Sequence, residues 1–169
     1  HLNFEQFCEC LLPYKTEDLQ SLDNWKEYLK TTYNQKLENL KYCDLYKNSA
    51  LRAAIQVNSN LKNDLHPVLV PSRMTPVYRM STRVKLHFGM CDDYTEIATA
   101  VFRSNGIPVF SDFTPQWPFR SMGHTWNVLL NNNGKNLSFG GADTNPGDPH
   151  KLDEHMAKAF RRPYAANSE

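Results

Sequence analysis

The stretch GMCDDYTEIATAVFRSNGIPVFSDF, residues 89–113, contains the change of period on which the fold reading turns. Tyr94, Ile97, Ala98, Val101 and Phe102 recur at i, i+3, i+4, i+7 and i+8, the spacing that lines one face of an α-helix. Asn105-Gly106 supplies a C-terminal stop, so a helix is expected over residues 93–105. Ile107-Pro108-Val109-Phe110-Ser111-Asp112-Phe113 is then rich in β-formers and ends at Thr114-Pro115. Further on, Trp126, Val128 and Leu130 alternate, and Leu137 and Phe139 do so after Asn133-Gly134. The order is helix, strand, hairpin.

Upstream the period is helical. Phe4, Phe7, Leu11 and Leu12 are stopped by Pro13, and Leu22, Trp25, Leu29, Tyr33, Leu37 and Leu40 form a longer stripe. Ala50, Leu51, Ala54, Ile55, Val57 and Leu61 predict a third helix, with Asn48 or Ser49 as its N-cap. His66-Pro67, Val70-Pro71 and Thr75-Pro76 impose extended backbone, so residues 65–79 read as connector or edge strand. The reading is one domain over 1–169, with a helical part at 1–64 and a Cys-helix plus sheet at 65–169. Its class is α+β, with the N-terminal helices packed on one side of a small antiparallel sheet.

Nineteen basic against eighteen acidic residues give a charge of +1, which argues against a nucleic-acid partner. At 40% apolar and 12% aromatic residues the chain can bury a core, and its apolar runs are too short for a membrane span. It begins His1-Leu2-Asn3 without Met, and is read as a piece of a longer multidomain protein. Four cysteines show no Cys-x-x-Cys spacing, so no metal is expected, and Cys8, Cys10 and Cys43 read as buried small hydrophobes.

Cys91 stands apart. It lies just ahead of the helix, where free N–H groups and the positive end of the macrodipole can stabilise a thiolate and, later, an oxyanion. Asp93-Tyr94-Thr95-Glu96 reads as a capping box, which puts Cys91 two residues outside the helix and close to carboxylates that raise a thiol pKa. A thiol nucleophile needs a base. Among six histidines His124 fits best, because it follows Gly123 and opens an alternating strand, and His87 is the competitor. The orienting acid depends on hairpin register. A two-residue turn at Asn133-Gly134 sets Asp143 opposite His124, and a four-residue loop leaves it diagonal on the same face. A three-residue loop sends it to the other face. Asp112 and Asp148 are the other candidate acids.

The blocks Gly89-Met90-Cys91-Asp92-Asp93-Tyr94, Asn105-Gly106-Ile107-Pro108-Val109, Asp112-Phe113-Thr114-Pro115-Gln116-Trp117 and Gly123-His124-Thr125-Trp126-Asn127 resemble the core of transglutaminase-like domains, particularly those of exported Bacteroidetes proteins. Leu11-Leu12-Pro13-Tyr14 and Lys158-Ala159-Phe160-Arg161 are similar to flanking motifs of that group. The resemblance implies a papain-like fold, export to the periplasm or cell surface, and a triad of Cys91, His124 and an Asp from the next strand. The family's acid directly follows that strand, where this chain has Gly140, and Asp143 comes three residues later. Trp117 and Trp126 match aromatics near the cleft, which would contact substrate.

The expected chemistry is acyl transfer from a peptide or other amide through a Cys91 thioester, with hydrolysis favoured over crosslinking and no cofactor. The alternative is a non-catalytic peptide- or glycan-binding domain of a larger surface protein, with Trp117, Phe119 and Trp126 lining its groove. A metal site at Cys91, His124 and an Asp is the third reading.

Overall fold

The computed structural model describes residues 2–71, 79–148 and 158–163. Helix α1 (Phe4–Cys10) opens on a capping box in which Asn3 Oδ1 accepts from Gln6 N–H and Gln6 Oε1 from Asn3 N–H. Helix α2 (Trp25–Asn34) presents Trp25, Leu29 and Tyr33 to the core. The sequence stripe runs on to Leu40, but the helix gives way to a 3-10 turn (Gln35–Leu37) before α3 (Glu38–Lys41). Thr31, Thr32 and Tyr33 are poor helix formers, and Thr32 Oγ1 donates back to Tyr28 O, a bond that bends helices. Helix α4 (Ala50–Leu65) is capped by Ser49, whose hydroxyl accepts from Arg52 N–H.

Two short strands, β1 (Val68–Leu69) and β2 (Phe88–Gly89), pair in parallel with helix α5 (Met80–Arg83) between them in sequence. Residues 72–78, in the region read as connector, lie outside the described residues. Helix α6 (Cys91–Ser104) begins two residues earlier than its apolar spacing predicts. The main sheet consists of β3 (Val109–Thr114), β4 (His124–Leu130), β5 (Asn136–Phe139) and β6 (Phe160–Arg161), antiparallel in the order β5-β4-β3-β6.

The class is α+β. Helices α2, α4 and α6 share one core with the sheet, in which Trp25, Leu29, Val57, Leu61 and Phe102 meet Val109, Leu129 and Phe139. Phe102 and Phe139 pack edge to face at 5.4 Å. The other face of the sheet is also apolar, through Phe110, Trp126, Val128 and Leu130, and Cys10 and Leu11 cover it. This corrects the one-sided packing read from the sequence. β4 is buried on both faces, so its apolar run needs cover from two sides and α1 supplies the second. Among the described residues no helix is long and apolar enough to cross a membrane.

Asn58, 1% exposed, fastens the chain after β5 to α4. Its amide donates to Thr144 O (2.9 Å) and Asn145 Oδ1 (3.2 Å), and its Oδ1 accepts from Ala142 N–H (2.8 Å). Asn58→Ala strands these buried partners and is expected to cost about 2 kcal/mol. Urea unfolding would show this as a lower midpoint at unchanged slope, and a midpoint equal to wild type would refute the latch.

Candidate functional site

Cys91 is the first residue of α6, with Met90 as the N-cap in extended backbone. The helix starts here because Asp93 Oδ2 accepts from Met90 N–H at 2.8 Å, which makes Asp93 the third helical residue rather than the cap. Arg83, 4% exposed, donates to Glu17 and to Asp93 Oδ1 (3.0 Å) and ties α5 and the N-terminal segment to this turn. The thiol is therefore inside the first turn, among its unpaired N–H groups.

Burial pushes the Cys91 thiol up, and the neighbouring Asp92 carboxylate adds to the rise. Main-chain hydrogen bonding from Thr125, Asp92 and Cys91 itself pulls it down without cancelling the rise. Cys10, by contrast, is wholly buried, and its thiol is pushed up to about 12. All four cysteines are free.

The N-terminal ends of α6 and β4 meet at Thr125. Its hydroxyl donates to Asp92 Oδ1, and Thr95 Oγ1 donates to its carbonyl at 3.2 Å. One pair further along, Asn127 Nδ2 donates to Thr95 O (3.1 Å) and Thr99 Oγ1 (3.0 Å). The odd-numbered residues of β4 thus face α6, and His124 faces the other way. Its imidazole lies between Trp117 and Trp126, with ring centroids 6.0 and 5.9 Å away and interplanar angles of 23° and 28°. No hydrogen bond joins Cys91 to His124 among those the described residues make. The competitor His87 is occupied differently, with Nδ1 2.6 Å from Leu65 O.

Gly123 fixes where β4 begins. A Cβ there would sit 2.3 Å from Thr114 O and 2.6 Å from Pro115 O, so the returning chain passes too close to the end of β3 for any side chain.

The hairpin loop decides the acid. Asn131 N–H donates to Lys135 O and Gly134 N–H to Asn131 O, both 2.9 Å, closing a three-residue loop with Gly134 at φ +77°. Asn127 pairs with Phe139 and Val128 with Ser138, so the even residues of β5 share the face of His124. This is the parity that sends Asp143 to the other face. Asp143 lies in the turn after β5, exposed, with its carbonyl accepting from Lys62 Nζ at 3.0 Å. The structure does not bring it to His124. Asp112 does share the face of His124, one pair further along β3, but Arg161 holds its carboxylate at 2.7 and 2.9 Å. Asp148 is exposed beyond the same turn.

Sequence reasoning gave Glu96 only a capping role and did not foresee its burial against Arg162. Glu96 is fully buried, and Arg162, just after β6, donates to Glu96 Oε1 and lies 3.5 Å from Asp92 Oδ1. Burial raises the Glu96 carboxyl to about 7, against the pull of Arg162, Arg83 and Arg103 and with a push from Glu17. The available signal was the spacing of Glu96 at i+4 from Asp92, beside the apolar stripe of Ile97, Val101 and Phe102. Arg162 also lines a groove of about 1000 Å³ between residues 13–22 and 160–163, whose apolar walls include Leu22, Phe113 and Phe160. A second cavity, of about 640 Å³, lies at the far end of α6 by Asn105 and Ile107. Among the described residues no three His, Cys, Asp or Glu side chains form a group that could hold a metal ion.

No protein-family profile and no curated protein matches the chain. Among solved structures, a candidate cysteine protease from Cytophaga hutchinsonii is similar at 11% identity and a TM-score of 0.46, over 89% of this chain and 55% of that one. The chain thus spans about half the length of that neighbour.

Proposed function

We propose that this chain is a transglutaminase-like, papain-like thiol enzyme in which Cys91 attacks a peptide or protein amide and water resolves the acyl-thioester. The observation that carries the reading is the meeting of the α6 and β4 N-termini at Thr125, the residue next to His124, whose hydroxyl donates to Asp92, the residue next to Cys91, and whose carbonyl accepts from Thr95. In this reading His124 turns from its tryptophan stack toward the thiol and takes its proton. The thiolate adds to the carbonyl, and N–H groups of the first α6 turn hold the oxyanion. The C–N bond then breaks as the imidazolium protonates the leaving amine, and water cleaves the thioester with His124 as base. His124 is the first residue of β4 and its ring faces away from α6, so this reading requires the start of the strand to rotate when substrate binds. Asp143 would have to act from across the sheet, and the reading does not depend on it.

The test is alkylation of each cysteine against pH, followed by mass spectrometry. Cys91 alkylation is expected to depend on His124, with His124→Ala slowing it about tenfold near neutral pH. A Cys91 rate indifferent to His124 would sink the enzyme reading. It would favour the binding-domain reading, although Trp117 and Trp126 are 8% and 4% exposed and Phe119 alone of the three expected groove aromatics is open to solvent.

A further inference from the structure

We infer that Arg162, delivered by the C-terminal strand, is a positioning residue that sets the ionisation of Cys91 by neutralising the carboxylates of the first α6 turns. The inference rests on the thiol-enzyme reading for its purpose, but its measurement does not. Arg162 is held in place from three sides. Its N–H donates to Ser111 O at 2.9 Å, its guanidinium lies over the Phe113 ring at 5.5 Å, and its two ends reach Glu96 and Asp92. Phe113 in turn sits directly across from Thr125 on the face turned to α6. Arg162, Phe113, Thr125 and Asp92 therefore form one contact chain that ends beside the thiol.

The charges around that turn are asymmetric. From α6 come Asp92, Asp93 and Glu96, and from the N-terminal segment Glu17. Among the described residues Arg83 is ion-paired with Asp93 and Glu17, and Arg162 with Asp92 and Glu96. Arg103 adds positive charge further along α6, and His124 faces the opposite side of the sheet. Asp92 is the carboxylate that bears directly on Cys91, and Arg162 is 3.5 Å from it, with the Arg162 and Asp92 side chains 28% and 34% exposed, so that water screens the pair in part. A cation placed there favours the thiolate. Residues 160–162 thus do more than close the edge of the sheet, because they complete the electrostatics of the candidate nucleophile.

The test is the pH profile of Cys91 alkylation in four variants, with folding checked by near-ultraviolet circular dichroism. Arg162→Met is expected to displace the profile to higher pH and slow the reaction three- to tenfold at pH 7.5, and Arg162→Lys to restore it. Asp92→Asn is expected to act in the opposite direction, and the double variant Asp92→Asn/Arg162→Met to return near wild type. A purely structural role would slow the reaction in every variant without moving the profile, and that outcome overturns the inference. So does an Arg162→Met profile that coincides with wild type. If Arg162→Met fails to fold, Asp92→Asn alone decides, because an unmoved profile there removes the charge argument. Failure of the enzyme reading is read separately, as a wild-type Cys91 rate indifferent to His124→Ala.

Discussion

Replacing Cys91 with alanine is expected to reduce hydrolysis of a peptide amide to background, a loss of at least about 10³-fold, with the fold intact. The fold should survive because alanine is the best helix former and Cys91 stands, partly exposed, at the first helical position rather than in the core. The loss should be large because Cys91 is the cysteine at the start of α6, where unpaired amides can receive an oxyanion. Cys10 cannot substitute, since burial holds its thiol near 12. Initial rates on a mixed fluorogenic peptide library, read beside melting temperatures, make the comparison. Cys10→Ala should leave the rate unchanged, and Cys91→Ala should still bind peptide. A Cys91→Ala protein that turns over peptide at the wild-type rate would place the nucleophile elsewhere and end the proposal.

The elements that set up this site differ in how openly the sequence announces them. Helix α6 was plain from its apolar spacing, because its packed face is long and unbroken. Its start was misread by two residues, since Asp92-Asp93-Tyr94-Thr95-Glu96 offers more than one acidic cap and only the Asp93 bond to Met90 N–H chooses between them. The hairpin was equally visible, but its loop length was not. Asn-Gly suits a two-residue turn, and the structure uses Gly134 instead as the left-handed third residue. That single residue of slack inverts every side chain of β5 relative to β4 and takes Asp143 off the face of His124.

Contacts distant in sequence were the least legible. Arg162 lies 66 residues from Glu96, and neither has a local pattern that names its partner. Arg161 and Asp112 are 49 apart, and their pairing removes the acid that does share the face of His124. Asn127, which falls between the alternating Trp126 and Val128, is the residue that joins β4 to α6 through Thr95 and Thr99. Periodicity reports which face of an element is buried. It does not report which charge from the far end of the chain will be buried with it.

Glu96 leads to the second large effect, on stability as a function of pH. A fully buried carboxyl raised from 4.5 to about 7 binds its proton more tightly folded than unfolded. Between those values the folded state therefore holds the extra proton, and stability falls as pH rises through the window. Below 4.5 both states are protonated and the contribution is fully present, and above 7 both are ionised and it is lost. The full difference is up to about 3 kcal/mol. The geometry agrees with the sign: Oε1 has Arg162, but Oε2 is buried without a hydrogen-bond partner among the described residues, so ionisation leaves that oxygen poorly compensated. Glu96→Gln removes the titration and retains an acceptor for Arg162. Urea unfolding of both proteins from pH 4.5 to 8 should show the wild type losing ground to the variant across the window and a constant gap above it. Parallel curves over the whole range would mean that Glu96 is ionised throughout, held so by Arg162, Arg83 and Arg103 despite its burial.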